Sequence, residues 1–283
     1  MPVSKGRRVG HASTPRSSSI GPSSRRIPRC FSTTKVMEQV VGLAYQCDAA
    51  VVAVGIEEGE FRDRASLSLP GRQEELIQRV SALEKPMVVI LIGGSAITMP
   101  EWLPDVPAVL DAWYPGEQGG AALARVLFGD INPAGRLPIA FPQAEGQLPL
   151  VYNLKSTGRG DDYVDLSGRP LFPFGYGLSY TTFIYSRLVI EPDTIRAGEE
   201  VVQLHIRDEI ASVARPVAAL KGFQRVYLEP NESQDLGLVI EPEMPSMLSR
   251  DLQPVEEAGE FQIRIGASSQ DIRLKGVLVV LDR

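Results

Sequence analysis

Cysteine and histidine are scarce in this 283-residue chain, which has two of each. Cys30 and Cys47 match no zinc spacing, and two thiols do not make a disulfide framework, so both are expected to be unpaired. His11 lies in a polar tail and His205 in a strand-like run, so multi-histidine metal sites are excluded. A Ser-His-Asp arrangement would have only His205 as its base, and the strand accounts for that residue without chemistry. No metal and no cofactor is expected. No apolar run approaches the roughly 20 residues of a membrane span. Positive charge is not in excess either. A formal net charge of -6 and a pI near 5.2 give no electrostatic case for nucleic acid and fit neutral small ligands. No G-x-x-x-x-G-K-[ST] and no G-x-G-x-x-G follows a strand, so Gly93-Gly94-Ser95 reads as a glycine turn and not a phosphate loop.

Acidic residues are missing altogether from residues 1–34, which are rich in Ser, Arg, Gly and Pro. The segment also lacks the apolar core of a secretory signal. Two readings remain open for it. One is an organelle transit segment, and the other is a disordered tail or a mis-assigned gene start. Its sparse apolar residues cannot offset the entropy of ordering, so no stable fold is expected there. The compartment is left undetermined.

Beyond the tail the chain has material for a core: 43% of its residues are hydrophobic, enough for about two domains at this length. Residues 35–46 predict a helix, with Met37, Val40, Val41 and Ala44 on one face. Residues 49–55 (AAVVAVG) form a short continuous apolar run, as expected of a strand buried on both faces. Pro70 suits a first helical turn, continued by Glu74, Leu76, Ile77 and Val80. Residues 86–92 (PMVVILI) and 106–113 predict two more strands, 117–128 a helix, and 137–141 a further strand. Strands alternating with helices argue a mostly parallel, helix-covered sheet over residues 35–151.

Residues 152–180 read as a polar, glycine-rich connection. After it the texture changes to short alternating runs at 183–190, 201–207, 224–228, 236–240, 261–265 and 272–280, separated by turns such as Glu229-Pro230-Asn231. Short strands with turn signals predict a fibronectin-like β-sandwich over 181–283. The fold class is therefore α/β followed by all-β.

In open α/β sheets, ligands bind beyond the carboxyl ends of the strands. That rule selects the loops after Gly55, Ile92 and Trp113. The first holds Glu57, Glu58, Gly59, Glu60, Phe61, Arg62, Asp63 and Arg64, a crowd of carboxylates and guanidinium groups at the ligand edge. A solvated, salt-bridged loop would have the same composition, so charge alone does not make it a site.

Longer segments are more specific. Gly59-Glu60-Phe61-Arg62-Asp63-Arg64, followed by Leu69-Pro70-Gly71-Arg72-Gln73-Glu74-Glu75-Leu76-Ile77, resembles the acid/base loop and next helix of family 3 glycoside hydrolases. Trp113-Tyr114-Pro115-Gly116-Glu117-Gln118-Gly119-Gly120 resembles that family's W-Y-P-G-x-x-G-G segment, and residues 128–138 (FGDINPAGRLP) its F-G-D-x-N-P-[SA]-G-[KR]-L-P run. Residues 170–181 (PLFPFGYGLSYT) resemble the signature leading into its fibronectin-like domain. The matching segments are ordered and correctly spaced from about Lys35 to the C-terminus.

The resemblance implies a β-glucosidase or β-xylosidase type of enzyme that hydrolyses with retention through two carboxyl groups roughly 5–5.5 Å apart. The Gly-Glu pair carries the acid/base role to Glu60, with Glu57 and Glu58 as rivals under a shifted alignment, and Asp63 and Arg64 as supports. The family's nucleophile is an Asp on a preceding (β/α)₈ barrel. Such a barrel needs ~250 residues, and only a polar tail precedes Lys35. The chain is therefore expected to be a glycosidase portion that is idle by itself, or else a non-catalytic carbohydrate-binding or interaction module. Its expected partner is a β-linked oligosaccharide or glycoside once a barrel is supplied, with neither nucleic acid nor membrane involved. The fibronectin-like part is shortened near Ile195-Arg196-Ala197-Gly198-Glu199, as if one strand were gone. A missing strand exposes a pairing edge that favours association.

Overall fold

In the computed structural model, residues 34–61, 63–155, 162–191, 193–196, 205–208, 218–240, 247–248, 253–255 and 258–281 are described. The tail expectations for residues 1–33, with His11 and Cys30, fall outside them, as do Arg62 and residues 197–204, so that of the shortened stretch only Ile195 and Arg196 are described. Cys47 is a free, half-buried thiol.

The first unit runs α1 (Thr34–Gln46), β1 (Ala50–Gly55), α2 (Gln73–Ser81), β2 (Met87–Ile92), β3 (Val109–Asp111) and α3 (Gly119–Leu127). The three strands form a parallel sheet in the order β1-β2-β3. Its register pairs Ala50 with Met87 through Gly55 with Ile92, then Val89 with Val109 through Leu91 with Asp111. The apolar spacing read in α1 is the one that packs: Met37 is fully buried, and Val40, Val41 and Ala44 lie against the same core. From α2, Leu76, Ile77 and Val80 are buried with them, against Val52, Val54, Val89 and Leu91 of the sheet. Thus α1 and α2 cover one face.

The other face differs from expectation at β1. Val52 and Val54 are buried, but Val51 is 59% exposed and Ala53 is exposed as well. A continuous apolar run does not by itself bury both faces, because burial needs an element over each. Here α1 and α2 cover the Val52 side, whereas α3 buries only Gly119 of its own residues. Pro70 also lies outside its helix. Pro70 lies in a bend, Gly71 and Arg72 form a turn, and α2 begins at Gln73.

Residues 137–141 form no strand. Phe141 makes a single antiparallel bridge with Phe172, supported by Leu137 N–H to the Tyr176 carbonyl at 2.9 Å and Gly175 N–H to the Leu137 carbonyl at 2.8 Å. Pro138 and Pro142 lack the amides that a longer ladder would need. The connection read at 152–180 is thus laid back on the first unit, with Phe172 packed edge-on to Phe141.

The second unit contains β4 (Thr194–Arg196), β5 (His205–Asp208), β6 (Ala219–Leu220), β7 (Met247–Leu248), β8 (Pro254–Val255), β9 (Gly259–Gly266) and β10 (Ile272–Leu281). A five-stranded sheet has the order β4-β10-β9-β5-β6 and is antiparallel except for the β4–β10 pair, while β7 and β8 form a separate ribbon. Phe261 and Ile263 alternate inward from β9, and Leu278 and Val280 from β10, building a core with Ile240 and Ile190. The expected strands at 183–190, 224–228 and 236–240 are not formed. Their alternation does not find a sheet: Ile184 is 95% and Tyr227 81% exposed, and only the end residues Ile190 and Ile240 reach the core.

Candidate active-site loop

The loop after β1 meets the loops after β2 and β3 at one edge of the parallel sheet, where helix-covered sheets present ligands. The residue that ties them together is Glu58. Its Oε2 accepts the Gly94 amide at 2.8 Å and the Tyr114 hydroxyl at 3.1 Å. Its Oε1 accepts a short hydrogen bond from the Ser95 hydroxyl and stands 3.6 Å from Arg64 Nε. Gly94 has to be glycine for this approach, since a Cβ there would lie 2.6 Å from the Tyr114 ring and 3.0 Å from Glu58 Oε2. The Gly93-Gly94-Ser95 turn does bind an anion, but that anion is the chain's own carboxylate.

Desolvation raises the Glu58 pKa, but the Ser95, Gly94 and Tyr114 hydrogen bonds and the Arg64 charge outweigh it. The net position is below the ordinary carboxylate value, so Glu58 is held ionised. Burial, reinforced by that neighbouring carboxylate, raises the Tyr114 phenol. Arg64 secures the loop further, donating to the Ser68 carbonyl at 3.1 Å and to Ser95 Oγ at 3.3 Å. At the loop's far end Glu145 Oε1 accepts from Ser66 Oγ at 2.6 Å and from the Leu67 amide. The Thr98 amide bonds the Leu67 carbonyl at 3.0 Å.

Glu60 is placed differently. It is exposed, it has no hydrogen bond or ion pair among the described residues, and it sits just before Phe61, whose φ of 63° turns the chain outward. Glu57 is also exposed. A recess of about 250 Å³ lies beside the loop, lined by Glu58, Gly59, Asp63, Arg64, Leu67 and Ser95. Asp63 borders that recess without a hydrogen bond or ion pair among the described residues. The arrangement brings Glu58 and Arg64 together and leaves Glu60 and Asp63 exposed, without a hydrogen bond or ion pair among the described residues. Sequence reasoning named Glu58 only as a rival of Glu60 and missed its partners Ser95 and Tyr114, which come from two other loops.

Asp111, at the end of β3, was also missed. Burial pushes its carboxyl up, against one hydrogen bond from the Trp113 amide at 3.3 Å, and its Oδ2 is shut away without a partner among the described residues. No group of His, Cys, Asp and Glu among the described residues is arranged to hold a metal. No described helix is long and apolar enough to cross a membrane.

The parallel sheet with its ligand-edge loops, followed by a β-sheet unit, defines a two-part α/β and all-β protein. Residues 8–180 match the glycosyl hydrolase family 3 C-terminal domain, and residues 200–269 match a fibronectin type III-like domain. The chain belongs to glycosyl hydrolase family 3. It is 37% identical over 263 residues to a beta-xylosidase of Formosa agariphila, covering 84% of this chain and 36% of that protein. It is 34% identical over 272 residues to a periplasmic beta-glucosidase of Salmonella typhimurium, covering 86% of this chain and again 36% of the relative. Among solved structures, a beta-glucosidase from Listeria innocua with gluconolactone superposes with a TM-score of 0.83 at 29% identity, covering 88% of this chain and 38% of that one. The chain thus spans about a third of the length of these relatives.

Proposed function

We propose that this chain is the acid/base-bearing portion of a retaining β-glycosidase of glucosidase or xylosidase type, with Glu60 as the acid/base residue. The observation that carries the reading is the contrast between Glu58 and Glu60. A general acid must hold a proton near the leaving oxygen and later take one from water. Glu58 accepts three hydrogen bonds and faces Arg64, and these four groups hold it as a carboxylate. Glu60 is on the same loop, unpartnered among the described residues and exposed at the ligand edge.

In the reaction so read, the nucleophile is an Asp supplied by a barrel outside this sequence. It attacks the anomeric carbon while Glu60 protonates the departing glycosidic oxygen. In the second step Glu60 deprotonates water as it attacks the glycosyl-enzyme. Asp63 and Arg64 act as supports, Arg64 by pinning the loop through Ser68 and Ser95.

The test joins the chain to the barrel of a related enzyme. Glu60→Ala should slow hydrolysis of a glycoside with a poor leaving group by about 10²–10⁴-fold, the usual worth of general acid–base catalysis. It should slow formation of the glycosyl-enzyme from a dinitrophenyl glycoside far less, and azide should accelerate the variant. The assignment falls if Glu57→Ala or Glu58→Ala shows this pattern while Glu60→Ala behaves as wild type.

A further inference from the structure

The last residue of β1 is held from outside the sheet. The Ala50 and Ile56 amides bond the Pro86 and Ile92 carbonyls of the β2 side at 2.9 Å each. Alternate residues of a strand direct their backbone groups to opposite edges, so Gly55 turns its N–H and C=O away from β2, toward the edge that carries no strand among the described residues. There the Gln73 carboxamide meets both. Its Oε1 accepts the Gly55 amide at 2.7 Å, and its Nε2 donates to the Gly55 carbonyl at 2.9 Å. The side chain does what the peptide of a neighbouring strand would do.

The same Nε2 donates to the Pro70 carbonyl at 3.0 Å. Gly55 and Pro70 are the two feet of the loop spanning residues 56–69, so one amide group closes its base. Gln73 is itself the first residue of α2, whose Leu76 and Ile77 are buried. The clamp therefore stands on a packed element. Gly55 cannot be anchored by a side chain of its own, because a Cβ would lie 2.0 Å from the Ile92 carbonyl oxygen.

We propose that Gln73 is a positioning residue for this loop: its carboxamide takes the place of a strand at the open end of β1 and fixes the direction in which the loop, and Glu60 on it, leaves the sheet. The catalytic part of this inference rests on the reading of Glu60 given above; the clamp does not. All three hydrogen bonds need an amide, which both accepts and donates. Gln73→Leu removes them all. Gln73→Glu keeps the acceptor but turns a carboxylate toward two carbonyls at neutral pH. When protonated, the new side chain recovers one donor.

Amide hydrogen exchange on the full chain, corrected for intrinsic rates, tests the clamp. Gln73→Leu should raise exchange at Gly55 and across the loop by at least about tenfold, the worth of a hydrogen bond or more, while β2 stays protected. Gln73→Glu should match it at pH 7 and return toward wild type near pH 4.5. Unchanged protection at Gly55, loss spread evenly over β2, or a Gln73→Glu variant indifferent to pH would each overturn the proposal. In the barrel-joined protein, Gln73→Leu should slow the poor-leaving-group glycoside more than the dinitrophenyl one, and an equal loss on both would overturn the positioning role. If Glu60→Ala shows no leaving-group dependence, the acid/base reading fails, and the exchange result still decides the clamp.

Discussion

Glu58 and Glu60 lie two residues apart on one loop and meet opposite environments. Glu58 is 20% exposed at its side chain and receives hydrogen bonds from two other loops. Its carboxyl sits below the ordinary value of 4.5, so the fold gains from its ionised form. That contribution is complete above pH 4.5 and is lost as pH falls through the lowered folded value. Glu58→Gln points an NH₂ at donors and should destabilise the chain by about 1–3 kcal/mol at pH 7. In chemical denaturation the gap from wild type should narrow steadily below pH 4.5. A gap as large at pH 3 as at pH 7 would show that the ionised Glu58 network is not what holds the loop. Of the loop's charges, the sequence made their crowding visible and the family resemblance singled out Glu60. That Glu58 is the fastener was not legible, because Ser95 and Tyr114 are 37 and 56 residues away.

At the scale of elements, periodicity read the helices well and the short strands poorly. The face of α1 through Met37, Val40, Val41 and Ala44 is the packed face, since a 3.6-residue repeat leaves one stripe for the core. The runs at 183–190 and 224–228 alternate equally well and form no strand, since a strand exists only where a partner offers its edge. The open side of β1 makes a related point measurable. Val52→Ala removes a side chain that is 8% exposed and should cost about 1–3 kcal/mol. Val51→Ala removes one that is 59% exposed and should change stability by less than about 0.5 kcal/mol. Equal losses in thermal denaturation would mean that the Val51 face is covered in the folded protein. Gln73 was visible as part of a motif, but its grip on Gly55 depends on which edge of β1 faces α2, and no local pattern carries that.

At the scale of the whole molecule, two carboxyl groups are needed for double displacement, and this chain spans only about a third of its relatives. The purified chain should therefore release no more than trace amounts of product from aryl β-glucosides or β-xylosides. The measurement is turnover by the purified protein beside a Glu60→Ala control. Activity that survives purification and disappears on mutating a residue of this chain would mean that a second carboxyl group is present here after all. Without turnover, the chain's role would rest on what its loops hold when a barrel faces them, or on binding alone.

The sequence by itself determined the order of the two units, the helical faces, the positions of the strands β1 and β2, and the loop that gathers the charge. All of these follow from local periodicity or from motifs read along the chain. Tertiary structure alone decided which glutamate is spent on the fold and which stands free. It also decided that the connection after residue 151 lies back on Phe141, and that a glutamine closes the base of the candidate site. Those outcomes depend on groups far apart in sequence arriving within hydrogen-bond distance, and that distance is set by the sheet's register and edges, not by neighbours in the chain.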